Sequence, residues 1–335
     1  MDYRALGNSG LKVSPLCIGT MMFGDRTDYA ESERIVKSAR DAGVNFIDTA
    51  DQYAKGESER IVGKVISKER DRWVLATKFG NPMGEGPNEI GLGRKWMHQA
   101  CDASLKRLGT DYIDLYYIHL DFPEMPLDET VQAMGDLIRG GKVRYFAVSN
   151  FRAWRISELV WMCRQFGVPR PIACQPYYNA FNRMPEVEVL PVCDYHGLGV
   201  VPYSPIARGV LTGKYLPGQK PPGDTRAGRG DKRMIETEFR EESLVMAQTI
   251  RAHAENKHIT TGQFATAWVL ANRIITSVIA GPRTLEQWLD YPKALKYAWS
   301  ADDEALVDSL VKPGHPSTPG YNDPRYPLLG RFLRP

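Results

Sequence analysis

Asp48 closes a short apolar run, and a phenol, Tyr53, follows five residues later. Two further ionisable side chains end strand-like runs: Lys78 after 73–77 and His119 after 112–118. A carboxylate, a phenol, an ammonium and an imidazole delivered from strand ends make a site that can donate a proton. A nearby cation stabilises a phenolate, so Lys78 is expected to draw Tyr53 below the usual phenol pKa of ~10. Asp48 would keep that ammonium charged and oriented, its own burial offset by the pairing. His119 could hydrogen-bond a carbonyl oxygen and stabilise negative charge there. Taken singly, each has a plainer reading: a helix cap, a core phenol, a surface lysine, a structural histidine. Together they supply the proton half of a carbonyl reduction, and the other half is a hydride source.

The elements that must position these groups alternate along the chain. Short runs rich in Ile, Val, Leu and Tyr occupy 15–20, 45–48, 73–77, 113–118, 143–148, 172–175, 198–202 and 277–280. Helical patterns follow most of them, near 31–42, 57–67, 95–108, 127–140, 153–166, 185–196 and 284–291. Apolar strands without strict alternation suit a parallel sheet covered by helices. Eight such repeats favour an α/β fold, a single (β/α)8 TIM barrel, over an open sheet. An open dinucleotide-binding sheet would show G-x-G-x-x-G after the first strand, and the chain lacks it there. Residues before 15 read as an amino-terminal hairpin turning at Gly7-Asn8-Ser9-Gly10.

Two segments depart from the repeat. The stretch 203–240, rich in Gly, Pro and Arg, reads as a long loop before helices near 241–256 and 261–271. The end, 312–335, carries six prolines and reads as a trailing tail of a single domain spanning 1–335. Because barrel sites open at the carboxyl-terminal face of the strands, either segment could instead wall a pocket.

The net charge, 43 − 40 = +3, gives no argument for nucleic acid or anionic membrane as a partner. Five widely spaced cysteines, without a C-x-x-C pair, read as reduced thiols in a cytoplasmic protein. No signal peptide pattern and no run of 18 apolar residues is evident, so a soluble chain is expected. The six histidines offer neither H-x-H nor H-E-x-x-H spacing, so no metal site is expected.

With these residues in view, the chain resembles the aldo-keto reductase superfamily, in its long-loop, bacterial-type or channel β-subunit-like branch. The resemblance rests on 6–14, on Phe46-Ile47-Asp48-Thr49-Ala50-Asp51-Gln52-Tyr53 with Gly56-Glu57-Ser58-Glu59 behind it, and on Ser104-Leu105-Lys106-Arg107-Leu108. Asp111-Tyr112-Ile113-Asp114-Leu115-Tyr116 with His119, and Gly141-Lys142-Val143-Arg144 with Ser149-Asn150, extend it along nearly the whole chain. It implies NADP-dependent reduction of aldehydes or ketones, with Tyr53 as general acid and Lys78, Asp48 and His119 assisting.

The resemblance also implies where the cofactor is held. Ser149, Asn150 and Gln175 would hold the nicotinamide amide, Tyr203 would stack on its ring, and Thr20, Met21 and Asp48 would line its ribose. Ser204, Pro205, Ile206, Ala207, Arg208, Leu211 and Lys214 would wrap the pyrophosphate. Gly281 and Arg283 open a helix suited to the adenosine 2′-phosphate, with Gln287 and Asp290 toward the adenine and Arg226 as a second cation. NADP(H) is therefore favoured over NAD(H). Tyr291 stands where the family often has Asn, and Met21 where many relatives carry Trp. Met22, Phe23, Phe122 and Tyr178 are candidates for an apolar entrance or for packing.

The natural carbonyl substrate is not legible, and a homo-oligomer stays open. A second reading follows from the same resemblance: a cofactor-binding regulatory subunit like the potassium-channel β subunits, with little turnover. Those relatives carry Asn where this chain has His119, which favours turnover.

Overall fold

The helices form because apolar residues recur on one face. In α1 (Tyr29–Asp41) the buried residues are Ser32, Ile35, Val36 and Ala39, spaced one and two turns apart. Its start is fixed by Asp28, whose carboxylate accepts from the Glu31 amide at 2.8 Å. The same periodicity buries Leu127, Val131 and Met134 in α4 (Leu127–Arg139). The computed structural model describes residues 1–327, so positions 328–335 of the proline-rich segment lie outside the described residues.

A two-stranded antiparallel hairpin, β1 (Arg4–Ala5) and β2 (Lys12–Val13), comes first. Eight parallel strands follow: β3 (Leu16–Gly19), β4 (Phe46–Asp48), β5 (Val74–Phe79), β6 (Ile113–Ile118), β7 (Val143–Ser149), β8 (Ala173–Gln175), β9 (Gly199–Val200) and β10 (Val278–Ala280). Their spatial order is β10-β3-β4-β5-β6-β7-β8-β9. The curl closes where the Ile279 amide donates to the Pro202 carbonyl at 3.0 Å and Val200 bridges Ile275. Around the strands lie α1, α2 (Glu57–Ile66), α3 (Arg94–Leu108), α4, α5 (Ala153–Gln165), α6 (Val189–His196) and α10 (Leu285–Ala294). This is the (β/α)8 barrel expected from the alternation.

Strand parity explains what points where. Cys17, Phe46, Val74, Ala76, Leu115, Tyr117, Ala147, Ala173, Val201 and Ile279 form one core cluster inside the bore. Leu16, Ile18, Ile47, Leu75, Tyr116, Phe146 and Cys174 instead pack toward the helices. Side chains alternate with period two. Stepping two residues past a bore-facing position reaches Gly19, Asp48, Lys78, His119, Ser149, Gln175, Tyr203 and Gly281, all at the carboxyl-terminal rim. The hairpin plugs the opposite end, with Leu6 and Val13 fully buried. Gly7 has φ +58, and a Cβ there would lie 2.4 Å from the Ile172 carbonyl oxygen, so only glycine fits.

The long segment after β9 is more ordered than a plain loop. It contains a 3₁₀ stretch, Ala207–Thr212, and a short helix α7 (Lys232–Thr237), before α8 (Glu241–Asn256) and α9 (Thr261–Ala271). A further helix, α11 (Ala301–Leu310), was not anticipated from the sequence. It starts at a Ser300–Asp303 capping box, and Asp303 docks it on α8 through His253 Nε2 at 2.6 Å.

Residues after 312 run back along the barrel. Ser317 Oγ lies 2.8 Å from Ser243 Oγ, and the Arg240 guanidinium sits 3.8 Å above the Tyr321 ring. Arg233 of α7 forms an ion pair with Asp323 through both guanidinium nitrogens. Of the two readings open for this segment, its described residues therefore take the second and wall the mouth of the barrel.

Candidate active site

Four side chains converge at the rim. Lys78 Nζ donates to Asp48 Oδ1, to the Thr49 carbonyl at 2.7 Å and to the Tyr53 hydroxyl at 3.2 Å. Asp48 Oδ2 accepts from Gln175 Nε2 at 2.9 Å. The His119 ring stands edge-on to Tyr53, with centroids 6.0 Å apart. Asp48, Lys78 and His119 are buried, and their strands set their spacing: Asp48 is level with Gly19 and Ala76, and Lys78 with Tyr117. Tyr53 comes from a tight turn between β4 and α2, where Ala54 and Lys55 have φ of +47 and +55. Two successive non-glycine residues in that region are strained, held by the packing around them.

The electrostatics depart from expectation at one point. Burial pushes the Tyr53 phenol above the ordinary tyrosine value, and the opposing pull of Lys78 does not outweigh it. Desolvation penalises the phenolate more than one cation, itself neutralised by Asp48, can recover. Burial would push the Lys78 ammonium down, but Asp48 and Tyr53 together leave it above the usual lysine value. Burial also raises the Asp48 carboxyl, while Lys78 and Gln175 draw it back. Both its oxygens accept hydrogen bonds, so the geometry supports the charged pair. His119 is held well below the ordinary histidine range, by burial first and then by Lys78 and Arg325. It is neutral at physiological pH, and its buried Nδ1 has no hydrogen-bond partner among the described residues.

A cavity of about 630 Å³ opens over this group. Tyr53, Asp48 and His119 line one part of it, with Thr20 and Met21 from the end of β3. Ser149, Asn150, Gln175 and Tyr203 line the adjoining wall. Asn150 is already engaged: its amide nitrogen donates to the His119 carbonyl at 3.1 Å, and its oxygen accepts from the Tyr203 hydroxyl at 2.8 Å. The Tyr203 ring stacks on Tyr177, with centroids 5.6 Å apart.

Farther along, Ser204, Pro205, Ile206, Arg208 and Lys214 line the cavity, followed by Arg226, Gly281, Arg283, Gln287 and Asp290. Ser204, Ala207, Arg208 and Gly209 all have φ between +46 and +102. Through these turns the segment folds back on itself, with the Ala207 amide donating to the Ser204 carbonyl at 2.9 Å and the Gly209 amide to the Ile206 carbonyl at 2.8 Å. Ala207 and Leu211 do not line the cavity; both are fully buried in the core under the loop. Arg208 is paired with the buried carboxylate of Glu238 at 3.0 Å. Asp290 accepts from Thr260 at 2.7 Å, and Gln287 accepts from the Arg283 amide at 2.9 Å. Phe23 and Tyr178 are core, and only Met22 of the apolar pair after Met21 reaches the cavity.

Lys214, Arg226 and Arg283 form no ion pair among the described residues. Lys214 is pulled below the usual lysine value by loss of water first, then by Arg283, Arg226 and Arg229 against Asp224. Uncompensated positive charge at the end of a cleft fits a multiply charged phosphate ligand. No group of three or more metal-binding side chains occurs among the described residues, and no helix there is long and apolar enough to cross a membrane.

Several features of the site had no signal in the sequence, among them the surroundings of Asp51, itself a member of the matched motif. Asp51 is fully buried with both oxygens unpartnered, and burial pushes its carboxyl up to about 8. Arg233, Arg325 and Tyr326 line the cavity from segments far along the chain. All five cysteines are buried and unpaired.

A profile of the Aldo/keto reductase family matches residues 15–312. A probable voltage-gated potassium channel subunit beta of Arabidopsis thaliana is 37% identical over 302 residues, covering 88% of this chain and 91% of that relative. An uncharacterized oxidoreductase of Bacillus subtilis, YrpG, is 36% identical over 317 residues, covering 91% and 94%. An L-glyceraldehyde 3-phosphate reductase of Escherichia coli is 30% identical over 326 residues, covering 94% and 93%.

Proposed function

Because the chain belongs to the aldo/keto reductase family, we propose that it reduces aldehyde or ketone carbonyls to alcohols with NADPH, using Tyr53 as the proton donor. The observation that carries this reading is the hydrogen-bonded run Asp48–Lys78–Tyr53 beside a neutral His119, at the wall of a cavity of about 630 Å³. That size is within the ~300–1,000 Å³ common for small-molecule sites.

When bound, the nicotinamide dinucleotide supplies the hydride. The chain does the rest. Tyr53 hands its proton to the carbonyl oxygen, and Lys78 stabilises the phenolate left behind. Asp48 keeps the ammonium charged and pointed at the phenol. His119, neutral, donates a hydrogen bond to the carbonyl oxygen without competing for the proton. Asn150 ties the His119 backbone to Tyr203, so the wall that would hold the nicotinamide also sets the imidazole. Ser149, Asn150, Gln175 and Tyr203 are the residues that would hold that ring; Lys214, Arg226 and Arg283 would hold the phosphates.

The phenol above its ordinary range and the imidazole below its own predict a flat pH profile. The acid must be protonated to act, so reduction is lost only as pH climbs through the raised Tyr53 value, above ~10. kcat/KM for reduction should stay level from about pH 7 to 9. An inflection near neutrality would contradict the environments described for Tyr53 and His119.

Arg283→Ala should weaken NADPH by about 10–100-fold while NADH changes little, since a charge-assisted hydrogen bond contributes about 1.5–3 kcal/mol. Fluorescence titration of both cofactors measures it. Equal losses for the two would remove the phosphate assignment.

The channel-subunit name of the Arabidopsis relative supports a second reading, a cofactor-bound regulatory subunit. His119 beside Tyr53 favours turnover. Tight NADPH binding with no oxidation across a broad panel of aldehydes and ketones would favour the regulator.

A further inference from the structure

Beside His119 the cavity carries a cation with no acidic partner. Arg325 lines the same cavity as Tyr53 and His119, and among the described residues it pairs with no carboxylate. Its Nη2 donates to Asn81 Oδ1 at 3.2 Å, which anchors the guanidinium near the end of β5. Asn81 is itself buried, and its amide nitrogen has no partner among the described residues. The other arginines of this region are spoken for: Arg233 by Asp323 and Arg208 by Glu238. Lys214, Arg226 and Arg283 belong to the part of the cavity read above as the phosphate end. The charge of Arg325 is close enough to bear on the His119 imidazole.

The segment that delivers Arg325 is fastened on both sides. Before it, Asp323 is paired with Arg233 and Tyr321 donates to the Glu236 carbonyl at 3.0 Å; after it, the Pro327 carbonyl accepts from the Arg152 guanidinium. An exposed guanidinium at the wall of a carbonyl-reducing cavity, bonded to a neutral amide but to no carboxylate among the described residues, is a recognition element for an anion. We propose that the preferred substrates are carbonyl compounds bearing a negatively charged group, a carboxylate or a phosphate, which Arg325 engages while the carbonyl faces Tyr53 and His119. The inference rests on the reductase reading and adds its substrate class.

Two aldehydes matched in shape and differing in charge test it: 4-carboxybenzaldehyde and methyl 4-formylbenzoate. The wild-type protein with NADPH should favour the carboxylate by about tenfold or more in kcat/KM, and the preference should shrink in concentrated salt. In Arg325→Met the ratio should fall toward one, mainly through KM for the charged aldehyde, and Arg325→Lys should keep part of it. A ratio that is the same in wild type and Arg325→Met overturns the substrate class while leaving the reductase reading intact. Failure to reduce any aldehyde overturns the reductase reading instead. In that event, calorimetric titration of 4-(hydroxymethyl)benzoate into the NADPH-loaded protein judges the anion site alone. Weakening of about tenfold in Arg325→Met upholds it, and equal affinity rejects it.

Discussion

Tyr53→Phe is expected to slow carbonyl reduction by about 10²–10⁴, the usual contribution of a positioned proton donor. The ring remains, so the Lys78 ammonium keeps its place 4.7 Å from the ring centroid and still donates to Asp48 and Thr49. Only the hydroxyl leaves, and with it the one transferable proton facing the cavity from this turn. NADPH affinity should change by no more than about twofold, because no assigned phosphate or amide contact involves the phenol. Rates are read from absorbance at the nicotinamide band and affinity by fluorescence. An undiminished rate with intact binding would show that the proton comes from elsewhere, and His119 would be the next group to examine.

The second large effect is on stability. Lys78 and Asp48 are buried to 0% and 2% exposure, so removing the lysine strands a carboxylate in the bore. Lys78→Met should cost about 3–5 kcal/mol in urea unfolding, as is common when one member of a buried pair is deleted. Pairing it with Asp48→Asn should restore much of that loss, since the uncompensated charge goes with the second change. The pH dependence has a definite sign. In the single variant Asp48 loses its cation, and burial, which already holds its carboxyl above the usual value of ~3.9, raises it further. Stability is then best at low pH and falls as pH rises, so the deficit against wild type should widen as pH climbs above about 4. A deficit independent of pH would mean that the lost lysine stem, not the stranded charge, dominates.

How much of this was legible beforehand follows from strand geometry. The convergence of Asp48, Lys78 and His119 was readable because parallel strands carry every second residue into the bore and end at one rim, whereas Tyr53 arrives from the turn after β4. For the loop from Ser204 to Lys214, the resemblance implied a role in wrapping a pyrophosphate. The physics of its left-handed turns was not visible, and these leave Ala207 and Leu211 buried in the core beneath the loop. Lys78 was expected to lower the Tyr53 pKa, but the desolvation that opposes it depends on how completely the turn after β4 is packed. Arg325 meets Asn81 across 244 residues of sequence, a contact that no local pattern encodes. Helix α11 was missed because only half of its ten residues are apolar and only Asp303 and Val307 are buried, too few to mark an apolar stripe.

The closure of the barrel also has a consequence for how the chain is made. β3 emerges early in synthesis, yet one of its two partners, β10, is made about 260 residues later, with Val278 beside Leu16. The hairpin must likewise wait for Gly197, whose carbonyl accepts from the Asn8 amide. Until then the nascent polypeptide shows an unsatisfied strand edge and an unsealed bore, both liable to self-association. Such distant pairings slow assembly, so recovery from denaturant should fall steeply with protein concentration and improve when a chaperone shields that edge.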